Sequence, residues 1–568
     1  MYERIPGTSP NLTRRRFFGQ SSLALAGMAL GPKFGIREDD VGPQRIALPA
    51  RSSRALATFI RSGLDPEVLR TLATTAIEAA VHAGAEWADV RISDQRMYMS
   101  GPASGSLLLN CGFGIRVRVR GAEAFAGGTD PKPDVLIAAA KSAVATARGL
   151  ASTASTADTQ LLLVSVPAVK GEWHAPIDID PFSVSVDDHA FIYKAVSGAY
   201  DGPLTRLSHF EGSLIDGGWF WSSETRVFAS SEGSLLTQFL GGVDSRQSVS
   251  LMGQWRAQHG EQFELSVPFV KPCTGGFEVA VRLERYASPQ ATIDELVRYA
   301  SFPSRIMEVG RQNVVLDGAL HAGLIGTALL PALSLNRALG NDVDLAGTSL
   351  LSPPETVLHQ RAFSPMMNVN VDAAAPHFGA AAWDDEGVAR TAVSLIAGGT
   401  VANYLSSRST LASLESALPA GHAPLVVPGV MHSEISSVPA EVPQAISMAP
   451  SAAPCSLTAL AKQLGTGLLT RGGRVSVDPD GRGGYLSPTM LFEVRHGEIV
   501  ARIRGARLMF STKRFLPTLS AVGDVSTCET VLNYPSVAGV PWEFVKQAVT
   551  APAGLYHNAD VVSTFLES

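Results

Sequence analysis

Charge is scarce in this chain: only 17% of its 568 residues are charged, against ~25% in ordinary soluble proteins. Lys and Arg number 46 and Asp and Glu 52, for a net charge of −6. Nothing in that balance suggests the basic stripe of a nucleic-acid binder, so no nucleic-acid partner is expected. Cysteine is scarcer still. The four present, Cys111, Cys273, Cys455 and Cys528, are widely spaced. Four in this length exclude a disulfide scaffold; whether any two pair, or all stay free thiols, cannot be read from spacing. Long apolar runs are also missing. Past the N-terminus the best is Ala322 to Leu333, twelve residues interrupted by Pro331, against the ~20 of a helical membrane span. No span is expected in the mature chain. Finally, the common catalytic motifs are absent: HExxH, HExxxH, CxxC, G-x-S-x-G and the Walker A loop. The twelve histidines are scattered, with no two placed on one helix to start a zinc ligand set.

What is present is a body able to fold. Hydrophobic residues make up 45%, enough for large cores and too many for global disorder. At ~150 residues per domain the length suggests two to four domains. Gly (53) and Pro (35) are plentiful, as in a turn-rich β body.

The N-terminus reads as an address. Thr13, Arg14, Arg15, Arg16, Phe17 and Phe18 form a twin-arginine pattern, and a short apolar run follows from Leu23 to Leu30. Together they predict Tat export within residues 1–35 and a periplasmic or other extracytoplasmic location. Residues 36–60 read as a linker.

A first domain is expected over 61–160. Asp65-Pro66-Glu67 is a strong helix start, and Leu69, Leu72, Ala73, Ala76, Ile77, Ala80 and Val81 follow at helical spacing until Gly84. Asp89 to Ser93 reads as a strand. Ile115, Val117 and Val119 alternate with Arg116, Arg118 and Arg120, the pattern of a half-buried strand. A second helix is expected from Pro133 to Arg148, stopped by Gly149, with a small polar linker over 151–160. The central segment, 161–305, holds a helix from Val186 to Val196 and strands at Arg226 to Ser230 and Ser234 to Phe239. The last region, 306–568, opens with Val314-Val315-Leu316 and a long apolar helix over 317–337, then turns to strands. Leu491 to Ile503 reads as a hairpin with His496-Gly497 at its turn. Residues 436–454 are rich in Pro, Ala and Ser and read as a mobile loop. The fold class expected is α+β: an N-terminal α/β layer, then a larger, mainly antiparallel β body.

Two short stretches invite chemistry. Cys111-Gly112-Phe113-Gly114 contains a G-x-G but lacks the third glycine of a dinucleotide loop, and reads as a bulge or turn. Asp384-Asp385-Glu386, before Gly387 and a strand expected over Val388 to Ile396, offers either a metal ligand or general base, or a solvated acidic turn.

The ordered set of segments resembles the TldD/PmbA family of metallopeptidases, over roughly residues 65–530. The segments are Ala85 to Ile92 (AEWADVRI), Gly112 to Val119 (GFGIRVRV), Asp178 to Val186 (DIDPFSVSV), Phe228 to Gly233 (FASSEG), Trp383 to Gly387 (WDDEG), Val393 to Gly399, Tyr404 to Thr410 (YLSSRST) and Gly505 to Asp524. The resemblance implies a helix carrying HExxxH, whose histidines bind zinc and whose glutamate is the base, with a cysteine near the C-terminus. Aligned on Leu324-Ile325, however, the motif positions hold Gly326, Thr327 and Pro331. Neither Gly nor Pro offers a ligand, and Thr is no carboxylate base. His321 lacks a neighbouring Glu and has Ile325 four residues on. Cys528 is a weak match to the family's cysteine, and one thiolate does not make a metal site. No cofactor of its own is therefore expected. The resemblance implies a homodimer, or a heterodimer with a TldD-like subunit, acting on unfolded peptide as its non-catalytic member. Two other readings stay open: an active peptidase with a non-standard site around Asp384, Asp385, Glu386, His377 and Cys528, or a non-enzymatic extracytoplasmic binding or scaffold protein.

Overall fold

The computed structural model describes residues 64–564, apart from 101–104, 154–162, 207–209, 254–261, 282–287, 308, 342–346, 373–376, 419–430, 433–435, 534–535, 538–542 and 545–546. The chain divides into two compact units, 1–44 and 45–568, and every described residue lies in the second. The twin-arginine segment at 1–35 and the linker at 36–60 lie outside the described residues.

Helix α1 (Pro66–His82) starts where its caps say it should. The Asp65 carboxylate accepts the Glu67 N–H at 2.9 Å, and Pro66 has no N–H to leave unpaired. Gly84, at φ 100°, turns the chain out of the helix. Strands β1 (Trp87–Ser100), β2 (Gly105–Val119) and β3 (Ala122–Gly128) then form a meander, and α2 (Pro133–Thr153) returns across it. Leu69, Leu72, Ala73 and Ala76 of α1 and Leu136, Ala140 and Val144 of α2 pack on Val90, Ile92, Ile115 and Val117. Each large side chain so buried contributes ~1.5–3 kcal/mol.

Helix α2 corrects two expectations. It runs through Gly149 to Thr153, so the start of the linker placed at 151–160 is helical. Its Pro133–Ser152 stretch is also long and apolar enough to cross a membrane, which the search for unbroken apolar runs passed over. Here the apolar row of α2 is spent in the core, against the sheet.

Strand β4 (Lys170–His174), helix α3 (Val186–Thr205) and strands β5 (Phe210–Ser230), β6 (Leu235–Gly253) and β7 (Gln262–Cys273) follow. The sheet order is β3-β2-β1-β5-β6-β4, with β7 also on β6. One sheet therefore runs across the expected boundary at 160, since β1 pairs with β5 from Asp89↔Ser230 to Ser100↔Trp219. Cys111 to Gly114 is neither bulge nor turn: it sits inside β2 in unbroken register with Asp94 to Arg91.

After helix α4 (Pro289–Ala300), strand 310–316 lies between 467–477 and 554–563 in an eight-stranded sheet. The expected hairpin is there, turned by His496 and Gly497 at φ 51° and 80°. A six-stranded sheet joins 369–371, 393–397, 445–448 and 547–551. The strand expected over Val388 to Ile396 is shifted to Val393–Ala397. Residues 436–454 are not a loop as a whole: Ala445–Met448 is an inner strand between Val369–Val371 and Gln547–Ala551. Its buried Ala445, Ile446 and Met448 were hidden in the sequence by the small residues and prolines around them. The architecture is α+β, with a helix-covered N-terminal sheet and a larger, mainly antiparallel body.

Candidate functional site

Strand 310–316 leads into the segment where a catalytic helix would lie. The apolar run forms a helix for two turns only, α5 (Gly318–Leu324). A single π turn follows at Ile325–Leu329, then a 3₁₀ turn at Leu330–Leu333 that ends at Ser334. The continuous helix expected over 317–337 is thus broken. Pro331 has no N–H to donate back into the helix and crowds the turn before it, and a π turn is one way to absorb that. Gly326 is buried, and Ile325, Ala328, Leu329 and Leu330 around it belong to the largest apolar core. The Thr327 hydroxyl donates to the Gly323 carbonyl at 2.7 Å, as helical Thr commonly does. Positions 326, 327 and 331 therefore do not fit a zinc ion: two lack a donor atom and the third uses its hydroxyl on its own backbone.

His321, one turn earlier, is wholly buried. One ring nitrogen meets the Pro552 carbonyl at 2.7 Å and the other the Tyr556 hydroxyl at 2.8 Å. A neutral imidazole satisfies both, donating from Nδ1 and accepting at Nε2. Burial pulls its pKa down to about 4. With both nitrogens engaged, His321 is a core histidine.

The sequence reading missed the group at the start of α5. Asp317 is buried; its Oδ1 accepts from the Thr470 hydroxyl at 2.8 Å and its Oδ2 from the Gly472 N–H at 2.9 Å. Arg471 approaches it at 3.7 Å while also pairing with Glu295 at 2.9 Å and Glu529 at 2.7 Å. Burial, helped by the Glu529 charge, pushes Asp317 up to about 6. The only trace in the sequence is an Asp directly before an apolar helix; its partners come from strands over 150 positions away. Cys528 is next to Glu529. It is half-buried, and its thiol is pushed up by burial. Lys271 donates to its carbonyl oxygen, not to its sulfur, at 3.1 Å.

The acidic run lies elsewhere, on the face of the N-terminal sheet opposite α1 and α2. Alternation along β1, β2 and β5 puts Asp89, Arg91, Arg116 and Arg226 on that face. All are at least nine-tenths buried, so β2 is not the half-buried strand its pattern suggests. The turn Asp384-Asp385-Glu386-Gly387 docks there. Arg116 pairs with Asp89 and, at 2.9 Å, with Glu386. Arg226 pairs with Asp385, and Arg91 reaches it at 3.3 Å. Glu386 also accepts the Arg408 N–H at 2.9 Å, and Asp384 accepts the N–H groups of Glu386 and Val388 at 2.9 and 2.8 Å. Gly387 is required twice over: its φ is 74°, and a Cβ there would sit 2.4 Å from the Phe228 ring. With Asp384, Asp385 and Glu386 only 5%, 1% and 3% exposed, the solvated acidic turn is ruled out. Both oxygens of Asp385 and of Glu386 are taken by arginines and a backbone amide, and Asp384 Oδ1 by two amides; the turn joins the N-terminal sheet to the body.

Burial pushes Asp384 up to about 8, with the Glu386 charge adding to it. Burial also lowers Arg390, nearby, to about 10. Arg116 goes the other way: burial opposes its charge, but Asp89 and Glu386 outweigh it and hold the guanidinium protonated.

His377 is on a third element, partly exposed, with Nδ1 at 3.7 Å from Asp372. Among the described residues no three His, Cys, Asp or Glu side chains converge as a metal-binding group. The acidic run, His377 and Cys528 are thus held by separate elements.

The model of the PmbA/TldA metallopeptidase C-terminal domain matches residues 309–552. No curated protein matches the chain. Among solved structures, TldE from Thermococcus kodakarensis aligns at a TM-score of 0.61 and 14% identity, covering 87% of this chain and 100% of its own. A Thermotoga maritima protein described as a candidate modulator of a DNA gyrase aligns at 0.61 and 12%, covering 87% and 99%. A Bacteroides thetaiotaomicron protein described in the same way aligns at 0.59 and 13%, covering 87% and 98%.

Proposed function

We propose, from the match of residues 309–552 to the PmbA/TldA metallopeptidase C-terminal domain, that the chain is a TldD/PmbA-family subunit without a metal site of its own. It acts with a homologue that carries an intact HExxxH, helping to hold unfolded peptide while the partner cuts. The observation that supports this reading is the fate of the apolar helix: Gly326 and Pro331, which the resemblance aligns with the ligand positions, offer no donor, and the segment continues as π and 3₁₀ turns inside an apolar core. The rival reading, an active site built on the acidic run, loses support because Asp385 and Glu386 are spent on arginines. The test is to assay the purified chain, an HExxxH-bearing homologue from the same cell, and their mixture on an unfolded peptide. Co-purification, with turnover in the mixture above that of the homologue alone, is expected. Turnover by this chain alone would reject the reading.

The pattern from Thr13 to Phe18 and the apolar run after it support Tat export of this subunit. Replacing Arg14 and Arg15 with Lys should retain it in the cytoplasm; undiminished export would sink that part of the proposal.

A further inference from the structure

Helix α3 is held in place by packing more than by its own sequence. It carries Gly198, Gly202 and Pro203, which weaken a helix interior. What favours it is the Ser185 cap, whose hydroxyl accepts the Asp188 N–H at 3.1 Å, and an apolar row. Ile192, Tyr193 and Tyr200 share a core with Trp219 and Trp221 of β5 and with Phe277. Segments of low intrinsic stability open ahead of the rest of a molecule.

His189, near the start of α3, sits inside that contact and is only 4% exposed. Between centroids, its ring lies 4.9 Å from Tyr98 of β1, 5.4 Å from Trp221 and 4.8 Å from Phe277. Nε2 meets the Pro181 carbonyl at 2.8 Å. A carbonyl only accepts, so in the neutral ring Nε2 carries the proton and Nδ1 is an acceptor. Among the described residues nothing hydrogen-bonds to Nδ1.

A second proton would therefore sit on Nδ1 as a buried, charged N–H without an acceptor. The carboxylates around it are engaged or solvated. On α3, Asp187 is exposed and Asp188 accepts the Ser185 hydroxyl at 2.6 Å. Ahead of the helix, Asp180 accepts the Phe182 N–H at 3.0 Å and faces Arg96 of β1 at 3.4 Å. Beside Phe277, Glu278 accepts the N–H groups of Ile179 and Gly276 at 3.0 and 2.6 Å. β1 presents the Tyr98 phenol, kept neutral by burial, and β5 the Trp221 indole. Ring faces attract a cation, but burial outweighs that and the Asp188 charge, and holds His189 below the ordinary 6.5. The contribution of a group so lowered is full above pH 6.5 and is lost as pH falls through the folded value.

We infer that His189 is an acid-released latch: neutral, it fastens α3 and the turn at Pro181 to the sheet, and protonated, it frees that segment while α1 and α2 stay folded. The latch does not depend on the peptidase reading. The test is hydrogen exchange of the full mature chain, read as protection factors from pH 7.5 to 4.5, beside the variant His189→Gln. Glutamine keeps an N–H for the Pro181 carbonyl and cannot take a charge. In wild type the α3 amides should lose protection below pH 6.5, by up to about tenfold per pH unit, as uptake of one proton on opening requires. The amides of α1 and α2 should keep theirs, and in His189→Gln the slope should vanish. Should the variant fold poorly, the wild-type ring carries the test: by ¹⁵N NMR it should stay neutral, with its proton on Nε2, until the α3 amides open. Protection of α3 that ignores pH, falls equally in the variant, or falls together with that of α1 and α2 would overturn the latch. So would a ring that takes its second proton with α3 still closed.

Discussion

Arg116 shows how a residue can be legible in type and misread in place. Its alternation with valines correctly marks a strand, but the guanidinium lies under the 384–387 turn, paired with Asp89 and Glu386. Charge in a strand pattern says nothing of what another part of the chain, 270 residues on, will lay over it. Arg116→Ala leaves two buried carboxylates without their cation and should cost about 3–5 kcal/mol, read as a lower urea midpoint. An unchanged midpoint would mean that the pair is solvated. Asp384 gives a signed pH effect. Its folded pKa, about 8, lies above the ordinary 3.8, so between those values the native state holds a proton that the unfolded state releases. Its stabilising contribution is full below about pH 4 and is lost as pH rises through about 8. Asp384→Asn keeps an oxygen for the Glu386 and Val388 amides and has no proton to lose. The variant should match wild type near pH 3.5 and become steadily more stable relative to it as pH rises, by about 3–5 kcal/mol at pH 8.5; equal stability at both pH values would contradict the assignment.

At the scale of the element, the helix starts and turns were the clearest features. Asp65-Pro66 and His496-Gly497 carry their geometry in two residues, and both fall where expected. The motif helix was harder, since an apolar run with one proline does not reveal how far a break extends. The packing of α5 is a sharper matter. A Cβ on Gly318 would lie 2.4 Å from the Thr527 carbonyl oxygen and 2.8 Å from that of Ala551, both backbone atoms with little room to move. Gly318→Ala should therefore destabilise the chain by about 1–3 kcal/mol, seen as a fall in melting temperature. Alanine favours a helix interior by ~1 kcal/mol over glycine, so a rise would show that α5 does not press on this segment. The Asp317–Arg471–Glu295–Glu529 group belongs to this scale too. It was invisible in sequence because four elements meet there, and no local spacing links them.

For the whole molecule, the α+β class and the family resemblance were legible because they rest on the order of many segments, none decisive alone. The unity of the N-terminal sheet was not. Its strands come from both sides of residue 160, and sequence separation offers no hint that β1 and β5 are neighbours. The acidic run fits the same lesson: in sequence it offered either a ligand or base or a solvated turn, and it joins the sheet to the body through buried ion pairs. The central claim, the proposal that this chain has no metal site of its own, is most directly tested by elemental mass spectrometry of the protein purified from its native cell. The account predicts zinc and other transition metals well below one per chain. A ratio near one would contradict it, and would point to a ligand set outside positions 326, 327 and 331.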